Sequence, residues 1–192
     1  MKRNGMALLL LGALLLLSLS AVAQEAEEAA MGMPAMGPTQ EIQDLKWLIG
    51  TWDVKMESKM TPDQPDWIPS TGVVVYEYAA GGAAIKFTYK ADEMMGMVFE
   101  GIGLQTFDRE TGRWQMVWAD NMGARISYYT GEKSKDGRTV LEGDEIFGGQ
   151  SYKGRIISFN ETPSSFEWQM DNSMDNGQTW WTGGKAIYTK HK

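Results

Sequence analysis

A chain of 192 residues, with 43% hydrophobic and 22% charged residues, is long enough to form one domain with a substantial core. Its net charge of −7 disfavours nucleic acids and anionic membrane surfaces as partners, because both require a basic footprint. The chain contains no cysteine, which excludes disulfides and a lipid-attachment cysteine, so the fold must be stabilised by its core.

The first 23 residues have the pattern of an export signal. Lys2 and Arg3 precede an apolar run over residues 6–19, and the small-x-small sequence Ala21-Val22-Ala23 follows it. This run is shorter than the ~20 residues needed to span a bilayer. We therefore predict a signal peptide over residues 1–23, cleaved before Gln24, and an exported, periplasmic or secreted protein without a stable membrane anchor. Its removal takes away two positive charges and changes the net charge from −7 to −9.

The next segment, QEAEEAAMGMPAMGPTQ, is rich in Glu, Ala, Gly, Pro and Met and shows no periodicity. Such a composition is typical of disorder. We predict a disordered leader over residues 24–40 and a single folded domain over residues 41–192.

The folded domain begins with a helical pattern and continues with strand patterns. Residues 41–50, EIQDLKWLIG, place apolar side chains close to helical spacing and end at Gly50, which predicts one short helix with a glycine cap. After Gly50 the period changes to two, and turn signals such as Asp136-Gly137 and Gly148-Gly149 separate the apolar runs. We predict ten strands, at residues 50–58, 70–80, 83–91, 98–108, 113–120, 124–133, 139–146, 152–160, 165–173 and 180–190.

The spacing of these strands predicts the fold class. The chain has no long crossover and no βαβ spacing, so the simplest all-β topology is a single up-and-down antiparallel barrel with a short N-terminal helix. Closure removes the two exposed edges that ten open strands would leave. A barrel of this size encloses a cavity unless large side chains fill it, and the sequence leaves both outcomes open.

Two stretches resemble known barrels. Residues 45–52, LKWLIGTW, resemble the short helix and Gly-x-Trp first strand of lipocalins and other calycins. A longer pattern, F-x-G-x-G-x3-F-D-x2-T-G-x-W-x3-W-x-D-x-M over residues 99–122, is joined by D-x-G-x-T-W over residues 175–180. Together they resemble an uncharacterised, mostly bacterial family, domain-of-unknown-function family fifteen-seventy-nine. The resemblance covers about residues 41–190 and implies a lipocalin-like barrel with no established activity.

The Gly-Thr-Trp start also resembles the more distant nitrobindin-like barrels, which bind haem through a histidine near the C-terminus. His191 is the only histidine and lies one residue from the end, where an exposed tail is the default. Two methionine clusters have spacings that thioether ligands use for Cu(I), but neither contains His or Cys, and an adaptable apolar surface is the alternative. We therefore expect no cofactor, neither haem at His191 nor Cu(I) at the clusters, which are Met31, Met33 and Met36, and Met94, Met95 and Met97.

Carboxylates are the remaining candidates for chemistry. Glu142, Asp144 and Glu145 lie together in VLEGDEIFGG, where they could form an acid–base pair, an oxygen-ligand metal site or a solvated outer face. Adjacent strand residues point to opposite faces, so at most one of Asp144 and Glu145 can enter the barrel. The sequence SMDNGQTW at residues 173–180 fits the Asp-box pattern of propellers, but it occurs once, which indicates a self-bonded hairpin turn.

The strand alternation and the strand ends indicate where a ligand would bind. Our preferred hypothesis is an exported, non-catalytic protein that holds a small, largely apolar molecule in a barrel cavity. One alternative is an enzyme that uses Asp120 or Glu145 as acid or base, and another is a structural barrel with a filled core whose leader contacts a partner. The candidate ligand-binding residues are Tyr76, Tyr89, Met116, Trp118, Asp120, Arg125, Tyr128, Arg155 and Trp168.

Overall fold

The computed structural model describes residues 36–92 and 96–191. The predicted signal peptide, residues 24–35 of the predicted leader, and Met94 and Met95 lie outside the described residues. The compact unit over residues Gly37–Lys192 contains all the helices and strands discussed below. Among the described residues, no helix is both long enough and apolar enough to cross a membrane.

The helical segment is shorter than the sequence predicts. Helix α1 covers Gln40–Asp44, and one 3₁₀ turn, Leu45–Trp47, follows it. The Thr39 hydroxyl caps α1 by accepting a hydrogen bond from the backbone N–H of Ile42. The prediction that Gly50 caps the helix is wrong, because Gly50 begins the first strand. The helix ends early because side chains of the barrel, rather than further helical turns, satisfy the carbonyls of residues 47–49.

The ten predicted strands are all present, and they close into an antiparallel barrel. Each strand pairs with its neighbours in sequence, and the first strand pairs with the last, from Trp52 opposite Lys190 to Ser58 opposite Gly184. The predicted up-and-down topology is therefore confirmed. The strands are β1 (Gly50–Ser58), β2 (Ile68–Ala79), β3 (Ala84–Ala91), β4 (Glu100–Asp108), β5 (Arg113–Asp120), β6 (Ile126–Lys133), β7 (Thr139–Phe147), β8 (Gln150–Phe159), β9 (Ser165–Ser173) and β10 (Trp181–Lys190).

One end of the barrel is closed by aromatic packing beneath the helix. Trp52 is fully buried there, and its indole N–H donates a hydrogen bond to the carbonyl of Leu48, at 2.7 Å. The rings of Trp47 and Phe166 pack edge-to-face on Trp52, with centroids 5.8 and 5.2 Å away. At the other end, called the mouth here, β1 and β2, β3 and β4, β5 and β6, β7 and β8, and β9 and β10 are joined by loops. The helix thus covers one end and leaves the mouth to the loops.

Two glycines of β4 allow aromatic rings to lie against the barrel wall. Gly103 is the cross-strand partner of both Phe87 on β3 and Trp118 on β5. A Cβ atom at Gly103 would overlap the ring of Phe87, and one at Gly101 would overlap the ring of Trp118. The two rings stack at 5.8 Å between centroids, with 18° between their planes. The G-x-G pattern at residues 101–103 therefore provides space for a stacked aromatic pair.

We expect Gly103→Ala to destabilise the fold by about 1–3 kcal/mol, because the new methyl group forces the Phe87 ring out of its packed position. Urea unfolding measures the change. Ile102→Val is the matched control, since Ile102 is half-exposed on the opposite face of the same strand and should change stability by less than about 0.5 kcal/mol. Equal destabilisation by the two variants would contradict this account of the glycine.

The β9–β10 loop is held by a single carboxylate, as the self-bonded turn prediction requires. Asp175 accepts hydrogen bonds from the backbone N–H and the hydroxyl of Thr179, at 2.8 and 2.6 Å, and from the Ser173 hydroxyl, at 2.7 Å. The indole N–H of Trp180 donates to the carbonyl of Gly177, at 3.0 Å. These bonds satisfy the turn internally, so the Asp-box pattern has a structural role in this protein.

Hydrogen bonds from Thr179 and Ser173 lower the pKa of Asp175 to about 2, from an ordinary value of 3.8. A lowered folded-state pKa means that the ionised form stabilises the fold, so this contribution is present above pH 3.8 and is lost as the pH falls towards 2. We expect Asp175→Asn to flatten the dependence of the melting temperature on pH in that window. The exposed Asp63→Asn in the β1–β2 loop is the control, and it should leave the slope unchanged.

Candidate functional site

The interior of the barrel is an open cavity of about 670 Å³, rather than a filled core. Aromatic rings of strands β2 to β5 form one continuous wall of it. Tyr76 packs on Phe87 with centroids 5.5 Å apart, Phe87 stacks on Trp118, and Phe99 lies between Trp118 and Tyr89 at 6.5 and 6.0 Å. The methionine and indole side chains of the opposite wall add to this surface, which is therefore mainly apolar. They include Trp168 and Met170 of β9, whereas Met116 of β5 lies on the same side as the aromatic rings.

A polar cluster interrupts the apolar lining near the mouth. Glu145 of β7 points into the barrel and is 7% exposed. Its carboxylate accepts hydrogen bonds from Arg125, at 2.9 Å, from the Ser127 hydroxyl, at 2.9 Å, and from the Tyr129 hydroxyl, at 2.5 Å. Three donors and one opposite charge compensate the burial of this carboxylate. We call these four residues the Glu145 cluster.

Asp120 lies beside the cluster at the end of β5, and its carboxylate is also occupied. It accepts from the indole N–H of Trp118, at 2.8 Å, and from the backbone N–H groups of Met122 and Gly123, at 3.0 and 2.7 Å. These bonds fix both the β5–β6 loop and the orientation of the Trp118 ring. Asp120 therefore shapes the cavity through Trp118 as well as lining it.

The tyrosines of the cavity remain protonated at neutral pH. Burial raises the pKa of Tyr76, Tyr129 and Tyr188 above the ordinary value of 10.0, and the hydrogen bond to Glu145 raises that of Tyr129 further. Burial and the charge of Glu145 also raise the pKa of Tyr152. Each hydroxyl is thus a neutral group that can donate a hydrogen bond inside the barrel.

Seven of the nine predicted ligand-binding residues line the cavity, and two do not. Tyr128 is 49% exposed on the outer face, and the prediction that it faces inward is wrong. Arg155 is also outside, where it pairs with Glu142 at 2.8 Å and lies 3.7 Å over the Trp180 ring. The seven that line the cavity are Tyr76, Tyr89, Met116, Trp118, Asp120, Arg125 and Trp168.

These two errors have physical reasons. In β6 apolar residues stand at both odd and even positions, so side-chain size alone does not identify which positions face the cavity. The residues that face it are Ser127 and Tyr129. Thr130 and Glu132 lie on the same face of β6 as Tyr128, and their polarity was the sequence signal that this face is the outer one. In β8 the inward residues are Tyr152, Ile156 and Ser158, which places Arg155 on the other parity.

The other candidates from the sequence lie away from the cavity or outside the described residues. Asp144 and Glu142 are on the outer face, paired with Lys153 and Arg155, so only Glu145 of the three carboxylates enters the barrel. The His191 ring is exposed, and its Nδ1 atom lies 3.0 Å from Asp53. Within residues 36–92 and 96–191, no group of three or more His, Cys, Asp or Glu side chains is placed to hold a metal ion.

A closed ten-stranded antiparallel barrel, with a helix over one end and an internal cavity, defines a calycin-type barrel. The chain belongs to the family described as "Protein of unknown function (DUF1579)", which it matches over residues 37–183. No match is found among curated proteins.

Two solved structures share the fold at low sequence identity. Rv2717c from M. tuberculosis has a TM-score of 0.56 and 15% identity, over 81% of this chain and 100% of that chain. The S-type phycobiliprotein lyase CPES from Guillardia theta has a TM-score of 0.54 and 11% identity, over 80% of this chain and 94% of that chain. The barrel architecture is therefore shared across these proteins.

We expect Glu145→Gln to destabilise the protein by about 2–3 kcal/mol, because it removes the charge that Arg125 pairs with and sets an amide N–H₂ among three donors. Chemical denaturation measures the effect. Asp144→Asn is the matched control, since its exposed pair with Lys153 contributes less than about 1 kcal/mol. If the two variants lost similar amounts of stability, the Glu145 cluster would contribute no more to the fold than an exposed ion pair does.

Proposed function

We propose that this protein is an exported, non-catalytic carrier that holds one small, largely apolar molecule in the barrel. The observation that carries the proposal is the open, aromatic-lined cavity of about 670 Å³. Ligand sites are typically cavities of ≈ 300–1,000 Å³, mostly apolar and with a few polar groups that orient the ligand. The likeness to other calycin-type barrels supports the fold alone, whereas the cavity supports the binding of a small molecule.

The polar groups near the mouth support an amphipathic ligand with its apolar body deep in the barrel. The aromatic wall made by Tyr76, Phe87 and Trp118 offers ring faces for stacking and dispersion contacts. Toward the mouth, Arg125 and the Tyr152 hydroxyl lie on the cavity wall, where they can meet a polar end of the ligand. A molecule with one polar end matches this division of the cavity.

The hydrogen bonds of the carboxylates on the inner wall disfavour the enzymatic alternative. Asp120 and Glu145 are the carboxylates on the inner wall that the sequence offered as acid or base, and each already accepts three hydrogen bonds. A carboxylate has about four acceptor positions, so little of either group is available to a substrate. The filled-barrel alternative does not fit the open interior. Export remains a proposal that the N-terminal sequence supports.

The test is a titration with the apolar fluorophore N-phenyl-1-naphthylamine, whose emission rises on burial. Met116→Trp places a larger side chain in the cavity and should weaken binding at least about tenfold by occluding the space. Val117→Trp is the matched control, because the adjacent strand residue points to the outer face and should leave the affinity within about twofold. Circular dichroism verifies that both variants fold.

A second measurement identifies the natural ligand. The protein is isolated gently from the periplasm or medium of its host, and a native mass spectrum is recorded. We expect a chain that begins at Gln24 and carries one discrete non-covalent adduct. A bare chain that also fails to bind the fluorophore would overturn the carrier proposal, and an uncleaved chain in the cytoplasm would overturn export.

A further inference from the structure

The barrel wall is split between β6 and β7 near the mouth. The last pair of their ladder is Tyr129 opposite Gly143. Beyond it, residues 126–128 of β6 pair only with β5, and residues 144–147 of β7 pair only with β8. In the part of the chain that the structure describes, each of the other nine ladders reaches the mouth-end residue of at least one of its strands. Among these ten ladders, only the β6–β7 ladder stops before the mouth-end residue of both of its strands.

Side chains of the Glu145 cluster span this split. The Glu145 carboxylate reaches from β7 to the Ser127 and Tyr129 hydroxyls on β6. Arg125, in the loop before β6, donates from one guanidinium nitrogen to Glu145, at 2.9 Å, and to the Ile146 carbonyl, at 3.2 Å. Hydrogen bonds of side chains thus replace the missing backbone ladder. Rotamer changes break such bonds without any unzipping of strands, and they occur on a much faster timescale than strand rearrangement.

A groove of about 440 Å³ lies outside the barrel at the same place. Its lining includes Tyr128, Gly143 and Asp144, and Arg125 lines both this groove and the inner cavity. The side chains of the Glu145 cluster therefore separate the groove from the cavity. Exposed apolar residues normally occur singly on a protein surface, but the two free strand segments here carry four large ones. These are Ile126, Tyr128, Ile146 and Phe147.

We propose that this split is a side portal through which the apolar ligand passes, and that the Arg125–Glu145 pair is its latch. The proposal rests on the proposed carrier function, because a portal requires a ligand. The apolar rim receives the molecule, the latch swings aside, and the ligand enters beside the polar end of the cavity. The latch residues are positioning residues, since they control passage and not chemistry.

The test locks the split from outside and measures ligand exchange. Tyr128 and Asp144 would be cross-strand partners if the ladder continued, and the natural chain has no cysteine, so Tyr128→Cys/Asp144→Cys introduces the only two thiols. One sample is bridged with a short bis-maleimide, and another is capped with N-ethylmaleimide. Stopped-flow fluorescence with N-phenyl-1-naphthylamine gives association and dissociation rates for both.

We expect bridging to slow association and dissociation together by about tenfold or more, while the dissociation constant stays within about twofold, because a blocked passage changes rates and not the equilibrium. Glu77→Cys/Lys86→Cys is the matched control: it also removes one surface ion pair, but it spans a fully paired ladder, so bridging it should not alter the rates.

The outcomes separate the two proposals. Fluorophore binding with equal rates in the bridged and capped forms would overturn the portal and leave the carrier function intact. Slowing of equal size in the Glu77/Lys86 control would also overturn the portal, since any cross-link would then have the same effect. Absence of binding in every form would overturn the carrier function, and the portal with it.

Discussion

Closure of the barrel through the β1–β10 ladder is the constraint on which the other features depend. The ladder removes both free edges of a ten-stranded sheet, and it fixes which residues of every strand face inward. Lys190, the last residue of β10, also attaches the helical segment. Its ammonium donates to the carbonyls of Trp47 and Ile49 and lies 4.5 Å over the Trp52 ring. The β1–β10 ladder closes the barrel wall, and its residue Lys190 therefore also holds the helical segment over the closed end.

Within the closed wall, the cavity depends on a balance between aromatic and polar groups. Rings on β2, β3 and β5 are held against the wall by their neighbours, so they line the interior without filling it. Near the mouth, the buried carboxylate of Glu145 is tolerated because Arg125 and two hydroxyls compensate its charge. The result is a mainly apolar chamber with a fixed polar region near the mouth, and that region coincides with the incomplete ladder.

The sequence predicts the fold well because alternation with period two is a strong signal in half-buried strands. All ten strands and the closed topology follow from it. The helix is predicted too long because its apolar residues continue to Ile49. In the structure the carbonyls of residues 47–49 instead accept hydrogen bonds from the side chains of Trp52 and Lys190. Such long-range hydrogen bonds leave no trace in local periodicity.

The candidate site is predicted only in part, for a related reason. Alternation identifies inward residues such as Trp118 and Trp168, but it fails in β6, where Tyr128 and Tyr129 compete for the inner face. The Glu145 cluster depends on pairing between residues 16 to 20 positions apart, which a single sequence does not display. Whether the interior is open depends on ring orientation, and this too is set by tertiary packing.

The glycines of β4 have a consequence for how the cavity can change over evolution. Gly101 and Gly103 are not among the lining residues, yet they determine how far the Trp118 and Phe87 rings retreat from the centre. A single methyl group at either position would push a ring inward and reduce the space while leaving the surface chemistry of the chamber the same. The volume of the chamber and its surface chemistry are thus encoded by separate residues, so selection can adjust one without altering the other.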